Sequence, residues 1–160
     1  MVIVADTGAL ISLALVDHLE LLQILYGAVY IPEEVWREIT VYIEPMHIPH
    51  VYDLQECIRP VTGPNPFAGI MHGGEAEAAC LYRELNADYL IIDDWEARLI
   101  AEANGITCIG AIAVLLEAKN RTLIGPLRPL FTILLAHNRY YKKNLLNSLL
   151  VRFGEKPLEE

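Results

Sequence analysis

The sequence is short of three things, and each shortage excludes a class of protein. Cysteine is scarce: Cys57, Cys80 and Cys108 are odd in number and form no Cys-x-x-Cys pair, which argues against a disulfide framework and a cysteine-rich zinc site. Cys80 and Cys108 lie in apolar stretches, where a free Cys behaves as a small core residue. A reducing cytoplasm is the expected compartment. Basic side chains are also scarce, 12 Lys and Arg against 21 Asp and Glu, for a formal net charge of -9. That balance excludes a protein that coats nucleic acid through overall positive charge. Long apolar runs are missing as well. The longest uncharged helical-looking run, Ala103–Leu116, is interrupted by Asn104, Gly105 and Gly110 and is too short to span a bilayer. The opening Met-Val-Ile-Val-Ala-Asp has no basic n-region of a signal peptide, so a soluble protein with no membrane association is expected.

What is present describes a folded chain. Hydrophobic residues make up 54% of 160 residues, enough to bury a core without a metal or disulfide staple. No repeat and no linker divides the sequence. We therefore expect a single domain over residues 1–160, with about 120–160 a helical C-terminal extension of it. Charge is unevenly placed. Residues 1–118 hold 4 basic and 18 acidic side chains, whereas residues 119–160 hold 8 basic and 3 acidic ones.

Hydrophobic patterning alternates between strand and helix. Val2–Ala5 reads as a buried strand ending at Asp6, followed by short helices over Gly8–Val16 and Leu19–Tyr26. Ala28–Ile31 is a second strand. Pro32 then suits a first-turn position, Glu33 and Glu34 suit the positive end of a helix dipole, and a helix is expected over Pro32–Tyr42. Residues 44–74 carry five prolines and little periodicity, and are expected to be irregular apart from a short strand near Cys57–Val61. Within them, Pro60–Gly74 reads equally as a flap beside Glu75 or as a surface loop. Beyond Gly74 come a helix at Glu75–Leu85, a strand at Tyr89–Ile92, a helix at Trp95–Asn104, a strand at Thr107–Ile109 and a helix at Ala111–Lys119. Two further helices follow, roughly Leu127–His137 and Lys142–Phe153. Strands alternating with helices indicate an α/β fold with a parallel sheet and the last two helices at its edge.

In such a sheet functional groups collect beyond the carboxyl ends of the strands. Asp6 closes the first strand, and Asp93 and Asp94 close the Tyr89–Ile92 strand. Glu38 lies on the helix after the second strand, and Glu75 starts the helix that leads to the third. Each has a plain structural reading: Asp is a favoured helix N-cap, Glu75 complements a dipole, and Glu38, four residues after Glu34, lies on a solvated face. Together, however, they place five carboxylates at one sheet edge. Like charges so close repel unless a cation sits among them, and hard oxygen donors without His or Cys suit Mg²⁺ or Mn²⁺. An all-carboxylate site of this kind is suited to phosphoryl chemistry.

The residues that carry this pattern, Ile3-Val4-Ala5-Asp6-Thr7-Gly8, Pro32-Glu33-Glu34-Val35-Trp36-Arg37-Glu38, Gly74-Glu75-Ala76-Glu77-Ala78 and Leu90-Ile91-Ile92-Asp93-Asp94-Trp95-Glu96-Ala97-Arg98, resemble those of PIN-domain nucleases. The likeness is to VapC-like toxin ribonucleases of the branch with Gly after the Asp-Thr pair, and it covers nearly the whole chain. It implies a compact three-layer α/β sandwich with four or five parallel strands and extra C-terminal helices. It further implies a Mg²⁺- or Mn²⁺-dependent endoribonuclease, commonly a homodimer silenced by a small antitoxin. By position, Asp6, Glu38, Glu75 and Asp94 correspond to the acidic quartet, with Thr7 a hydroxyl partner beside Asp6. Asp93 stands where many relatives carry a neutral polar residue and shares the role. The third acidic position, often Asp, is here Glu75. Asp6, Glu75, Asp94 and Asp93 are thus the expected metal ligands, and Glu38 the residue that orients or deprotonates water.

Supporting positions follow from charge. Arg98, one turn beyond Asp94, is placed to hold a carboxylate or phosphate, or simply to pair with Glu102. Arg121, Arg128, Arg139, Lys142 and Lys143 in the basic C-terminal quarter are candidates for gripping RNA, or for meeting a second subunit. Competing functions are weaker. Asp6-Thr7-Gly8-Ala9 also matches retroviral-type aspartic proteases, but those are β-rich, and the Leu-Ile-Ser-Leu-Ala-Leu that follows here is helical. A haloacid-dehalogenase-like phosphatase needs a second Asp where Gly8 stands, and a receiver-like domain needs its acidic pair near the first strand. A catalytically silent PIN-like module that binds RNA or protein is the main alternative. His47-x-x-His50 has no second pair at zinc spacing and reads as a solvated loop.

Overall fold

Short β-branched runs at Val2–Ala5, Ala28–Tyr30, Tyr89–Ile91 and Cys108–Ile109 form strands β1 to β4, which pair in parallel in the order β2-β1-β3-β4. The computed structural model describes residues 1–46 and 51–159. In β1, Ile3 stands opposite Val29 and Tyr89, and Ile3, Val4 and Ala5 are wholly buried, as suits the central region of a sheet covered on both faces. Helices α1 (Thr7–Leu15) and α2 (Leu21–Tyr26) connect β1 to β2. Helix α3 (Glu33–Met46), a 3-10 helix (Val51–Cys57) and α4 (Gly73–Glu84) lie between β2 and β3. Helix α5 (Trp95–Ala103) joins β3 to β4, and α6 (Ala111–Asn120) follows. The result is the expected α/β architecture, a four-stranded parallel sheet flanked by helices.

The strand order places a switch point between β1 and β3. From β1 the chain moves outward to β2, then returns to add β3 and β4 on the other side. A crevice therefore opens beyond the carboxyl ends of β1 and β3. Pairing continues into it, since the Asp6 amide donates to the Ile91 carbonyl at 2.9 Å. Helix α1 is apolar nearly all round, with Ala9 to Ala14 buried, which marks a core helix.

Several expected boundaries shift. Helix α3 continues past Tyr42 through Pro45 to Met46, so the irregular stretch begins later than residue 44. Pro45 stands in the last turn, and the helix ends one residue beyond it. Instead of a strand at Cys57–Val61, a 3-10 helix leads to a single parallel rung, Ile31 against Ile58, at the end of β2. His47 and His50 lie outside the described residues.

The loop leading to α4 is fastened at several points. The Glu84 carboxylate accepts the amides of Thr62 at 3.1 Å and Gly63 at 2.8 Å. Phe67 is wholly buried, with the Arg83 guanidinium 4.9 Å from its ring centre, and Met71 is buried as well. These contacts tie the loop to α4. All three cysteines are buried free thiols, and burial pushes Cys108 up to about 11.

The chain divides into two compact units, Met1–Val114 and Leu115–Glu160. The second holds the end of α6 with α7 (Leu127–Ala136) and α8 (Lys143–Arg152). Leu127, Phe131 and Leu134 recur at helical spacing and are fully buried, as are Leu146 and Leu150. Pro126 offers no side-chain cap to α7. The Glu155 carboxylate does so instead, accepting the Leu127 and Arg128 amides at 2.9 Å. Among the described residues no helix is long and apolar enough to cross a membrane.

The amide bonds of Gly63 and Thr62 hold the Glu84 carboxyl below its ordinary value. A lowered carboxyl pKa contributes stability that is complete above the ordinary glutamate range and lost as pH falls through the folded value. The protection of the amides of residues 62–72, measured as exchange relative to the intrinsic rate at each pH, should therefore fall at pH 3 relative to pH 6. Glu84→Gln should show the lower protection already at pH 6.

Candidate active site

Asp6 occupies the switch point. It precedes α1 in extended conformation, yet its side chain makes no capping bond to that helix. The carboxyl is 3% exposed, and its Oδ1 has no hydrogen-bond partner. Burial raises its pKa from 3.8 to about 7; the Thr7 amide acts in the opposite direction, while the charges of Glu75, Glu38 and Asp93 raise it further. The plain N-cap reading therefore fails for Asp6.

Glu38 is half-buried and fully engaged. Its Oε2 accepts the Thr7 hydroxyl at 2.5 Å, and its Oε1 accepts the Gly74 amide at 2.9 Å. The solvated-face reading of this residue thus fails, and the Thr7 hydroxyl serves Glu38 rather than Asp6. Close approach of α3 to α4 depends on Gly74: a Cβ there would lie 2.5 Å from Oε1 and 2.6 Å from Oε2 of Glu38. One turn earlier on α3, Glu34 pairs with Arg37, and its amide donates to Glu77 of α4 at 3.2 Å. Gly74 entered the sequence reading only as the residue before Glu75. Its signal was a glycine in a first turn where alanine is favoured.

Glu75 follows directly and is half-buried. Desolvation raises its pKa, the nearby charge of Asp94 adds to the rise, and the His72 amide and ring counteract it. Asp94 caps α5, its Oδ1 accepting the Ala97 amide at 2.9 Å, so the plain cap reading holds for that oxygen. Asp93 binds the first residue of α6, its Oδ1 accepting the Ala111 amide at 2.8 Å, and the absence of a side chain at Gly110 leaves room for it. Arg98 pairs with Glu102 at 2.8 Å and also donates to the Cys108 carbonyl at 3.2 Å, bracing α5 against β4.

The structure thus brings Asp6, Glu38, Glu75, Asp93 and Asp94 into one electrostatic neighbourhood. Among the described residues, no three His, Cys, Asp or Glu groups form a ready-made cation cage. Even so, a buried carboxylate oxygen without a partner, surrounded by further carboxylates, fits a hard divalent cation. The C-terminal basic residues are partly committed within their own unit. Arg121 pairs with Glu117 at 2.7 Å, Arg128 donates to the Pro157 carbonyl, and Lys143 to the Glu159 carbonyl. Lys142 is the N-cap residue of α8, and Arg139 makes its own contacts.

A family model described as a PIN domain matches residues 2–155. The chain belongs to the PIN-domain family. Membership supports nuclease function at a coarse level, with nucleic acid as the partner and divalent metal as the general cofactor of the family. No curated protein and no solved structure matches the chain significantly.

Two outcomes follow from this geometry. Gly→Ala inside a helix ordinarily stabilises by about 0.5–1 kcal/mol. At Gly74 the sign should reverse, with a loss of about 1–3 kcal/mol by urea unfolding, because the new methyl displaces Glu38. For Asp6, the raised pKa disfavours the charged form in the fold. Its stability contribution is complete below pH 4 and is lost as pH rises from 4 to 7. In EDTA, Asp6→Asn should therefore leave stability nearly unchanged at pH 4 and raise it at pH 8 by on the order of 4 kcal/mol.

Proposed function

We propose that this PIN domain is an endoribonuclease that hydrolyses RNA phosphodiester bonds with Mg²⁺ or Mn²⁺. The observation that carries the reading is the buried, unpartnered Oδ1 of Asp6 within a field of acidic side chains. Asp6, Glu75 and Asp94 would hold the cation, with Asp93 adding charge beside them. A cation held there would supply positive charge to the phosphate and lower the pKa of the attacking water. The protein's part is positioning. The Ala97 amide orients Asp94, and the Ala111 amide orients Asp93. Glu38 ties Thr7 to Gly74, which holds the start of α4 and therefore Glu75 against the strand ends. With both oxygens engaged, Glu38 is better suited to positioning than to taking a proton from water.

The wider reading, supported by the resemblance of the Asp6-Thr7-Gly8 motif, is the toxin of a toxin–antitoxin pair acting as a cytoplasmic homodimer. Arg121, Arg128, Arg139, Lys142 and Lys143 are the proposed phosphate grips, and Arg98 a brace for the site. The test is cleavage of single-stranded RNA with Mn²⁺ or Mg²⁺. Native protein should cleave, and Asp6→Asn should fall to the rate seen in EDTA. Equal rates for the two proteins would sink the assignment, and metal binding without cleavage would favour the silent binding module.

A further inference from the structure

A groove of about 360 Å³ runs from Glu75 and Asp94 along the side of α5, with Ile70, Met71 and His72 on its other wall. Its volume falls within the range of sites for small organic groups. One wall is unusual for a surface loop. Phe67 and Met71 are buried, yet Ile70 between them is 59% exposed. Gly69 at φ +86 turns the chain, and the amides of Ile70 and Met71 both donate to the Phe67 carbonyl at 3.1 Å. An apolar side chain is thus held out beside the carboxylates by the loop's own hydrogen bonds. Ile100 of α5 contributes apolar surface to the same groove.

Charge narrows the occupant. Among the described residues lining the groove there is no Lys or Arg, whereas Glu75, Asp94 and Glu96 all face it. A phosphate is unsuited to that lining, but the flat neutral part of a nucleotide is suited to it. Apolar walls accept the faces of a heterocycle, and a carboxylate accepts its N–H groups. Glu96 stands apart from the residues assigned to the cation and is free of that duty.

We propose that this groove takes one unpaired nucleobase next to the bond that is cut, with Ile70 and Ile100 against the ring and Glu96 reading its edge. The inference rests on the nuclease reading above. Guanine offers adjacent N1–H and N2–H₂ donors to the two oxygens of one carboxylate, whereas uracil presents a single N–H between two acceptors. The site should therefore prefer guanine, and RNA should be unpaired there, because pairing occupies that edge.

The test titrates guanosine and uridine, which carry no phosphate, into ¹⁵N-labelled protein in EDTA, so that binding is read without cleavage. Guanosine should shift the amides of residues 69–72 and 96–100, and bind about tenfold more tightly than uridine. Glu96→Gln should erase the preference, and Ile70→Ser, at an exposed position, should weaken both nucleosides. Shifts that are absent at millimolar nucleoside, that lie elsewhere, or that persist unchanged in both variants would overturn the proposal. RNA cleavage without base preference and without these shifts would leave the nuclease reading standing alone. Localised shifts in a protein that cuts no RNA would keep the base site and remove the nuclease reading.

Discussion

A buried carboxyl group with one oxygen left without a hydrogen-bond partner is the constraint around which this fold is organised. Ionised Asp6 in an apolar surrounding is costly, and Glu75, Glu38 and Asp93 add to the cost. A chain under selection for stability alone has little use for such a group. Its position follows directly from the sheet: β1 pairs with β3, the next amide extends the ladder, and the side chain emerges where strand order reverses. Stability is given up at the location where the proposed cation would restore it.

The surrounding contacts keep that arrangement from relaxing. If Glu38 were free, α3 and α4 could move apart and the negative charges disperse. Its two hydrogen bonds, to a hydroxyl from α1 and an amide from α4, join three helices through one carboxylate. Asp93 and Asp94 join β3 to α6 and to α5 in the same manner. These acids therefore have both structural and electrostatic duties, which is why their plain readings were partly right.

Much of this was legible in the sequence. The strands were short apolar runs, two of which lead to acids, and Asp6, Asp93 and Asp94 could be placed at the sheet edge from the βαβ pattern. What escaped was partner choice over long separations. Nothing in a one-dimensional pattern says that the Thr7 hydroxyl turns to Glu38 rather than Asp6, that Gly74 exists to admit that carboxylate, or that Glu155 caps α7. The extent of α3 was missed because the prolines from Pro45 onward were read as the start of irregular structure, whereas the helix runs on to Met46. The loop before α4 was illegible because its fastening, by Glu84 and Phe67, depends on groups with no local signature.

That fastening gives the loop a modular character. Helix α4, about 18 Å long, carries Glu75 at one end and Glu84 at the other, and the loop starts beside the second and returns to the first. Loop and helix form a closed circuit, so an exposed position within it such as Ile70 can change its side chain while Phe67 and Glu84 hold the loop in place. Substitution there would reshape the proposed base site and leave the acidic residues untouched.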